Sequence, residues 1–144
     1  MTGVLLDSHA LYWLVSGEER LADAALAAIV KAQDAGSLLV SPITAWELAV
    51  ATRKSSRANR PDLGDTADLW FRDAVAATTA KVVPIQQRIA IEAAKVVVET
   101  GHKDPGDCFL IATARVRGVP IITRDAIIRG LADDAPEYLT VIVC

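Results

Sequence analysis

The sequence predicts an α/β fold: three layers, with a central, mostly parallel sheet covered by helices on both faces. Three observations predict it. Short apolar runs of strand length alternate along the chain with segments of helical period. The runs lack the polar alternation of a sheet with one wet face, so each reads as a strand buried on both sides. The helical segments between them supply the long crossovers that parallel neighbours require. At 144 residues the chain is expected to form one domain over 1–144, long enough to bury a real core.

The elements follow in order. "GVLLD" is a short apolar run ending in Asp, suited to a buried strand, and "SHALYWLVS" reads as the helix after it. "LADAALAAIVKAQDAG" is a second, alanine-rich amphipathic helix with glycine as its stop signal, a core or dimer helix by default. "SLLVS" is the next strand, and "PITAWELAVATRK" opens with proline where a helix accepts it. The polar "SSRANRPDLGD" separates it from the helix "TADLWFRDAVAAT". "KVVPI" reads as a strand and "QQRIAIEAAKVVVETG" as a helix, with "TGHK" as a loop. "DPGDCFLIATARVRG" is a helix closed by Gly118, while "VPIITRD" and "YLTVIVC" finish as strands around the short helix "AIIRGL". There is no internal repeat, low-complexity tract or second domain in the pattern.

Composition removes several classes. Hydrophobic residues reach 52%, yet no apolar run approaches the length that spans a bilayer. The first apolar run has no basic segment before it and ends early at Asp7, so no signal peptide is expected. Cys108 and Cys144 have neither metal-type spacing nor the look of a disulfide framework, consistent with a reducing, cytoplasmic setting. The net charge of −3 excludes a wholesale polycation. One basic segment stands out: Arg53, Lys54, Arg57 and Arg60 lie between Glu47 and Asp62 with no acid among them. Such a segment binds a polyanion or an acidic partner, or is simply a solvated helix end and loop.

Four acids sit where a purely structural pattern would not need them. Asp7 follows the first strand directly, at the strand end where open parallel sheets bind ligands; it equally suits an N-cap for the helix at Ser8. Glu47 shares a helix face with Ile43, Trp46 and Val50, an apolar stripe where a carboxylate needs a partner. A capping box on Thr44 would explain Glu47 too, but Ser41–Pro42 is the better helix start. Asp107 falls on one side of its helix with Leu110, Ile111 and Ala114, or serves the helix dipole from the first turn. Asp104, with Pro105 after it, is placed as the N-cap. Asp125 follows the strand "VPIIT" and could cap the next helix. Each acid has its own local explanation; the coincidence of four does not.

A shared site accounts for all four. If the strands neighbour one another, the acids meet at the C-terminal edge of the sheet. Clustered carboxylates raise one another's pKa unless compensated. Oxygen ligands with no convergent His or Cys point to Mg²⁺ or Mn²⁺ rather than zinc, and such a site suits phosphodiester hydrolysis.

The segments "LLDSHALYW", "SPITAWELAVATRKS", "HKDPGDCFLIATA" and "PIITRD" resemble successive motifs of the PIN-domain ribonucleases, above all the VapC-type toxins of bacterial toxin–antitoxin pairs. The resemblance runs from near the N-terminus to about Asp125. It implies that Asp7, Glu47, Asp107 and Asp125 form the catalytic, metal-binding quartet, with Ser8 and Thr123 in support. It further implies a homodimer, hydrolytic cleavage of RNA to 5′-phosphate and 3′-hydroxyl ends, and inhibition by a cognate antitoxin protein encoded beside it. On that reading Arg53, Lys54, Arg57 and Arg60 are candidates for contact with RNA phosphates or with the antitoxin.

Two rival readings are weaker. A phosphotransfer domain of the haloacid-dehalogenase type expects a second Asp two residues after the first, where this chain has His9, and a receiver domain expects an acidic pair before the first helix. A catalytically silent PIN-like module that binds RNA or protein would be marked by loss of an acid, and all four are present. His9 and His102 are expected in polar surface or core roles rather than as ligands. Trp13, Trp46 and Trp70 are expected in the core or an interface.

Overall fold

The computed structural model describes residues 3–53, 60–64 and 66–144. The chain runs β1 (Val4–Leu6), α1 (Ser8–Ser16), α2 (Asp23–Asp34), β2 (Leu38–Val40), α3 (Pro42–Ala51), α4 (Ala67–Thr78), β3 (Lys81–Val82), α5 (Gln87–Thr100), α6 (Pro105–Arg117), β4 (Ile121–Thr123), α7 (Ala126–Asp134) and β5 (Val141–Val143). Five strands form one sheet in the order β3-β2-β1-β4-β5, and every pairing is parallel. The expected mostly parallel sheet is wholly parallel. β3 is the shortest strand, at the sheet edge, and Val83 just past it still donates to the Val40 carbonyl at 2.9 Å.

Strand alternation divides the core into two apolar clusters. Leu5, Leu39 and Ile121 point to one face and pack with Ile89, Ala93 and Val96 of α5, Leu110, Ile111 and Ala114 of α6, and Ile128 of α7. Val4, Leu6, Leu38, Val40 and Ile122 point to the other, against Ala10 and Leu11 of α1, Ala25 and Ile29 of α2, and Ala74 of α4. The result is the three-layer α/β/α arrangement. The strands read as continuous apolar runs because both of their faces are buried.

Two features of the architecture position the site. β1 is flanked by β2 on one side and β4 on the other, so chain connections diverge to either side of it and leave a crevice at its C-terminal end. Asp7, Ser41 and Asp125 all lie just past strand ends there. The second feature is the α5–α6 hairpin. Gly101 caps α5 in the left-handed conformation (φ 75°), and the chain turns back through His102 and Lys103 into α6. At the far end of the hairpin, Arg115 Nε donates to Glu92 Oε1 at 2.8 Å and locks the two helices side by side. α6 therefore brings its first turn, with Asp104 and Asp107, to the crevice.

Candidate active site

Each acid is first placed by local helix chemistry. Asp7 is the N-cap of α1, its Oδ1 accepting from the Ala10 amide at 2.7 Å. Asp104 caps α6 by accepting from the Asp107 amide at 3.0 Å. Asp125 caps α7 through Oδ1, which accepts from the Ile127 and Ile128 amides at 2.9 Å each. Ser41 caps α3 ahead of Pro42, which settles the helix start in favour of Ser41–Pro42 and puts Glu47 beyond the first turn. Glu47 therefore has no capping job.

The tightest cluster is Glu47, Asp104 and Asp107, each offering one carboxylate oxygen within 4.8 Å of the others. Asp7 lies beside this trio, close enough to act on Glu47 electrostatically, and is itself only 5% exposed. Asp125 is exposed at the outer edge and acts on Asp107 through space. Asp7 and Asp125 are tied together by Thr123. Its buried hydroxyl donates to Asp7 Oδ2 and accepts from the Asp125 amide, the latter at 3.0 Å. Ser8 ties α1 to α3: its hydroxyl donates to Glu47 Oε1 at 2.6 Å and lies 3.0 Å from the Thr44 hydroxyl.

The acids strain against one another. Burial raises the Asp7 carboxyl above the ordinary range, against the opposing pull of its bonds from Thr123 and Ala10. Glu47 is pushed up to about 7, first by burial and then by Asp107, Asp104 and Asp7, with the Ser8 bond working the other way. Asp107 is raised by burial, with Asp104 and Asp125 adding to it and the His102 bond opposing. Among the described residues no Lys or Arg forms an ion pair with any of these acids.

This gives a sign to the pH dependence of the metal-free fold. Glu47 holds its proton to higher pH when folded than its ordinary 4.5. Between roughly pH 4.5 and pH 7 the folded state therefore binds more protons than the unfolded state, and stability falls as pH rises through that window. Asp7 and Asp107 push in the same direction from their own lower ranges. Melting in EDTA is expected to drop by several degrees from about pH 5 to about pH 8. A melting temperature that climbs over that interval would contradict the electrostatics.

Several residues carry no signal in the sequence pattern that matches their place here. Asp104 reads from sequence as a cap alone, yet its carboxylate belongs to the tight trio as well. His102 reads as part of a loop, but Nε2 lies 2.8 Å from Asp107 Oδ2, with the His side chain 11% exposed. Gly106 is the third. A Cβ built there would stand 2.5 Å from Glu47 Oε2, so glycine is what lets the Glu47 carboxylate keep this position against α6. The one available signal is a glycine inside the first turn of a helix. The apolar stripe that makes Glu47 conspicuous is also not a core face. α3 buries Thr44 and Leu48 instead, and Trp46 and Val50 are 52% and 46% exposed. Trp13 and Trp70 pack partly buried against the apolar clusters.

Of the basic candidates, Arg53 and Arg60 are exposed. Lys54 and Arg57 lie outside the described residues.

Comparison with known proteins agrees with this architecture. The family model described as "PIN domain" matches residues 4–134. The chain belongs to the PIN-domain family. This PIN domain is 32% identical over 131 residues to Ribonuclease VapC22 of Mycobacterium tuberculosis (strain ATCC 25618 / H37Rv), a match covering 90% of this chain and 92% of the relative. Among solved structures, a chain of a toxin–antitoxin complex from Klebsiella pneumoniae is 25% identical with a TM-score of 0.54, covering 85% of this PIN domain and 87% of that chain. A chain of VapBC2 from Rickettsia felis, bound to a DNA fragment from their promoter, superposes with a TM-score of 0.66 over 98% of both chains at 9% identity, a likeness of fold alone. No helix among the described residues is long and apolar enough to cross a membrane.

Proposed function

We propose that this PIN domain is a divalent-metal-dependent endoribonuclease, the toxin of a toxin–antitoxin pair, held in check by a cognate antitoxin protein. The observation that carries the reading is the convergence of Glu47, Asp104 and Asp107 with Asp7 beside them, without a neutralising Lys or Arg among the described residues. Like charges in a half-buried site call for a cation, and an all-oxygen donor set favours Mg²⁺ or Mn²⁺. Gly106 supports the fit, because the close approach of α6 to Glu47 would be lost with any side chain there. The Mycobacterium relative is named a ribonuclease, which supports the nuclease part of the reading. The Klebsiella neighbour belongs to a toxin–antitoxin complex, which supports the antitoxin part.

Asp7, Asp107 and Asp125 would hold the ion, directly or through water, and Glu47 would either complete the set or orient the attacking water. When bound, the ion supplies electrostatic stabilisation to the scissile phosphate and its leaving oxygen. The chain's own groups do the rest. Ser8 occupies Glu47 Oε1 and fixes the carboxylate, leaving Oε2 to orient the attacking water and take its proton. Thr123 keeps Asp7 ionisable by donating to it. Attack by water needs no covalent enzyme intermediate and leaves a 5′-phosphate and a 3′-hydroxyl. Arg53, Lys54, Arg57 and Arg60 are candidate contacts for RNA phosphates or for the antitoxin, and the protein is read as a single-domain chain acting as a homodimer in the cytoplasm.

The test is cleavage of a mixed cellular RNA pool by the purified protein with Mg²⁺ or Mn²⁺, beside an EDTA control. Metal-dependent cleavage with 5′-phosphate ends is expected. Cleavage that persists in EDTA overturns the metal site. A folded protein that binds Mn²⁺ yet leaves the pool intact shifts weight to a silent module that binds RNA or protein.

A further inference from the structure

We infer that His102 is a positioning residue for Asp107, dedicating one carboxylate oxygen to a protein hydrogen bond and leaving the other for the cation. The inference rests on the metal-dependent nuclease reading above and deepens it. It concerns a residue outside the four acids, on the loop that joins α5 to α6.

The loop is tied down so that the ring has little choice of direction. The His102 amide donates to the Thr100 hydroxyl at 3.1 Å, anchoring the residue to the last turn of α5. Its carbonyl accepts from the Cys108 thiol at 3.2 Å, anchoring it to the first turn of α6. Gly101 makes the reversal between these anchors. The ring that results is nearly buried, and Nε2 meets Asp107 Oδ2 at 2.8 Å. An ionised Asp107 only accepts, so it selects the tautomer with the proton on Nε2.

The consequence for Asp107 is geometric. Its amide is already held by Asp104 at 3.0 Å, which fixes the backbone of the first turn. The His102 bond then fixes the side-chain torsions, which the backbone alone does not. Among the described residues no other group bonds to the Asp107 carboxylate, and the Asp104 carboxylate beside it repels it. Ligating carboxylates are commonly oriented in this way by a hydrogen-bonded neighbour, and removing the neighbour typically weakens metal affinity or activity about 10- to 100-fold. With Oδ2 drawn toward the ring, Asp107 is turned to present Oδ1 to the cation, a restraint on the coordination that the four acids alone would not impose.

The test measures Mn²⁺ binding by calorimetry, and RNA cleavage in parallel, for the wild-type chain and for His102→Leu, His102→Gln and Asp107→Asn. His102→Leu keeps a buried apolar side chain but removes the N–H. His102→Gln returns an N–H close to the position of Nε2. Circular dichroism and melting show that each variant is folded. The Mn²⁺ Kd is expected to rise about 10- to 100-fold in His102→Leu and to recover most of that loss in His102→Gln, with cleavage following the affinity. Wild-type affinity in a folded His102→Leu, or equal losses in the Leu and Gln variants, overturns the positioning role and leaves the nuclease reading standing. A wild-type chain that binds no Mn²⁺, or an Asp107→Asn variant that binds it as well as wild type, overturns the metal site itself and the inference with it.

Discussion

Asp7→Asn is expected to cut metal-dependent RNA cleavage by about 100- to 1,000-fold, as follows from losing several kcal/mol of charge stabilisation at about 1.4 kcal/mol per tenfold. The same change should raise the melting temperature of the metal-free protein. The two effects share a cause. Asp7 is 5% exposed, and burial is the leading reason its carboxyl is held above the ordinary range. Ionised Asp7 is therefore a local burden on the apo fold, one that the proposed cation would relieve. Asn removes the charge and keeps the helix start, since Asn caps as well as Asp. Its amide can also trade bonds with the Thr123 hydroxyl, which both donates and accepts. Melting in EDTA and cleavage with Mn²⁺, measured on the same preparation, check both halves. A folded variant that keeps wild-type cleavage would remove Asp7 from the site, and a lower melting temperature in EDTA would overturn the stability half.

Gly106→Ala is the second large effect, and it tests geometry rather than charge. The new methyl group would lie 2.5 Å from Glu47 Oε2 and 2.6 Å from Cδ, far inside contact distance. The offending atoms are the end of a flexible side chain, so the helices need not part; Glu47 swings away and gives up its 2.6 Å bond from Ser8. Displacement of a catalytic group by about 1 Å can cost on the order of 100-fold in rate. Stability should move the other way or not at all, because alanine is a better helix former than glycine by up to about 1 kcal/mol. Mn²⁺ binding should weaken alongside cleavage. If Gly106→Ala binds Mn²⁺ and cleaves RNA like wild type, the position of Glu47 is not what sets activity. A Glu47→Gln control separates the two cases, since it keeps the shape and removes the charge.

The elements of the fold are readable from sequence with little loss. "VLL", "LLV" and "IIT" become strands buried on both faces, and Ser41–Pro42, Asp104–Pro105, Gly101 and Gly118 mark helix ends where expected. Small departures remain, as in "KVVPI", where the edge strand β3 spans only two residues. The site is readable less evenly. The geometry brings Asp7, Glu47 and Asp107 into one neighbourhood, but Asp125 spends a carboxylate oxygen on the start of α7 and sits at the rim. Asp104, a cap by its sequence, stands closer to Glu47 and Asp107 than its capping role requires. Glu47 is conspicuous through an apolar stripe whose Trp46 and Val50 are in fact half exposed, so it is singled out by a face that is not the core.

What the sequence by itself determined is everything carried by contacts a few residues apart: strand and helix identity, caps, glycine stops, and the odd placement of acids on them. Hydrogen bonds from residue i to i+2 through i+4 are written in adjacent letters, and a parallel sheet needs only apolar runs separated by helices. Only the tertiary structure decided which groups meet. Ser8 reaches Glu47 across 39 residues and Thr123 reaches Asp7 across 116, and both depend on β1 lying between β2 and β4. The His102 contact with Asp107 is short in sequence but depends on α5 and α6 folding back side by side, and the need for glycine at position 106 depends on α3 arriving against it. Those placements are fixed by the packing of whole elements, where the cost of a misfit is shared over many side chains and no single residue announces it.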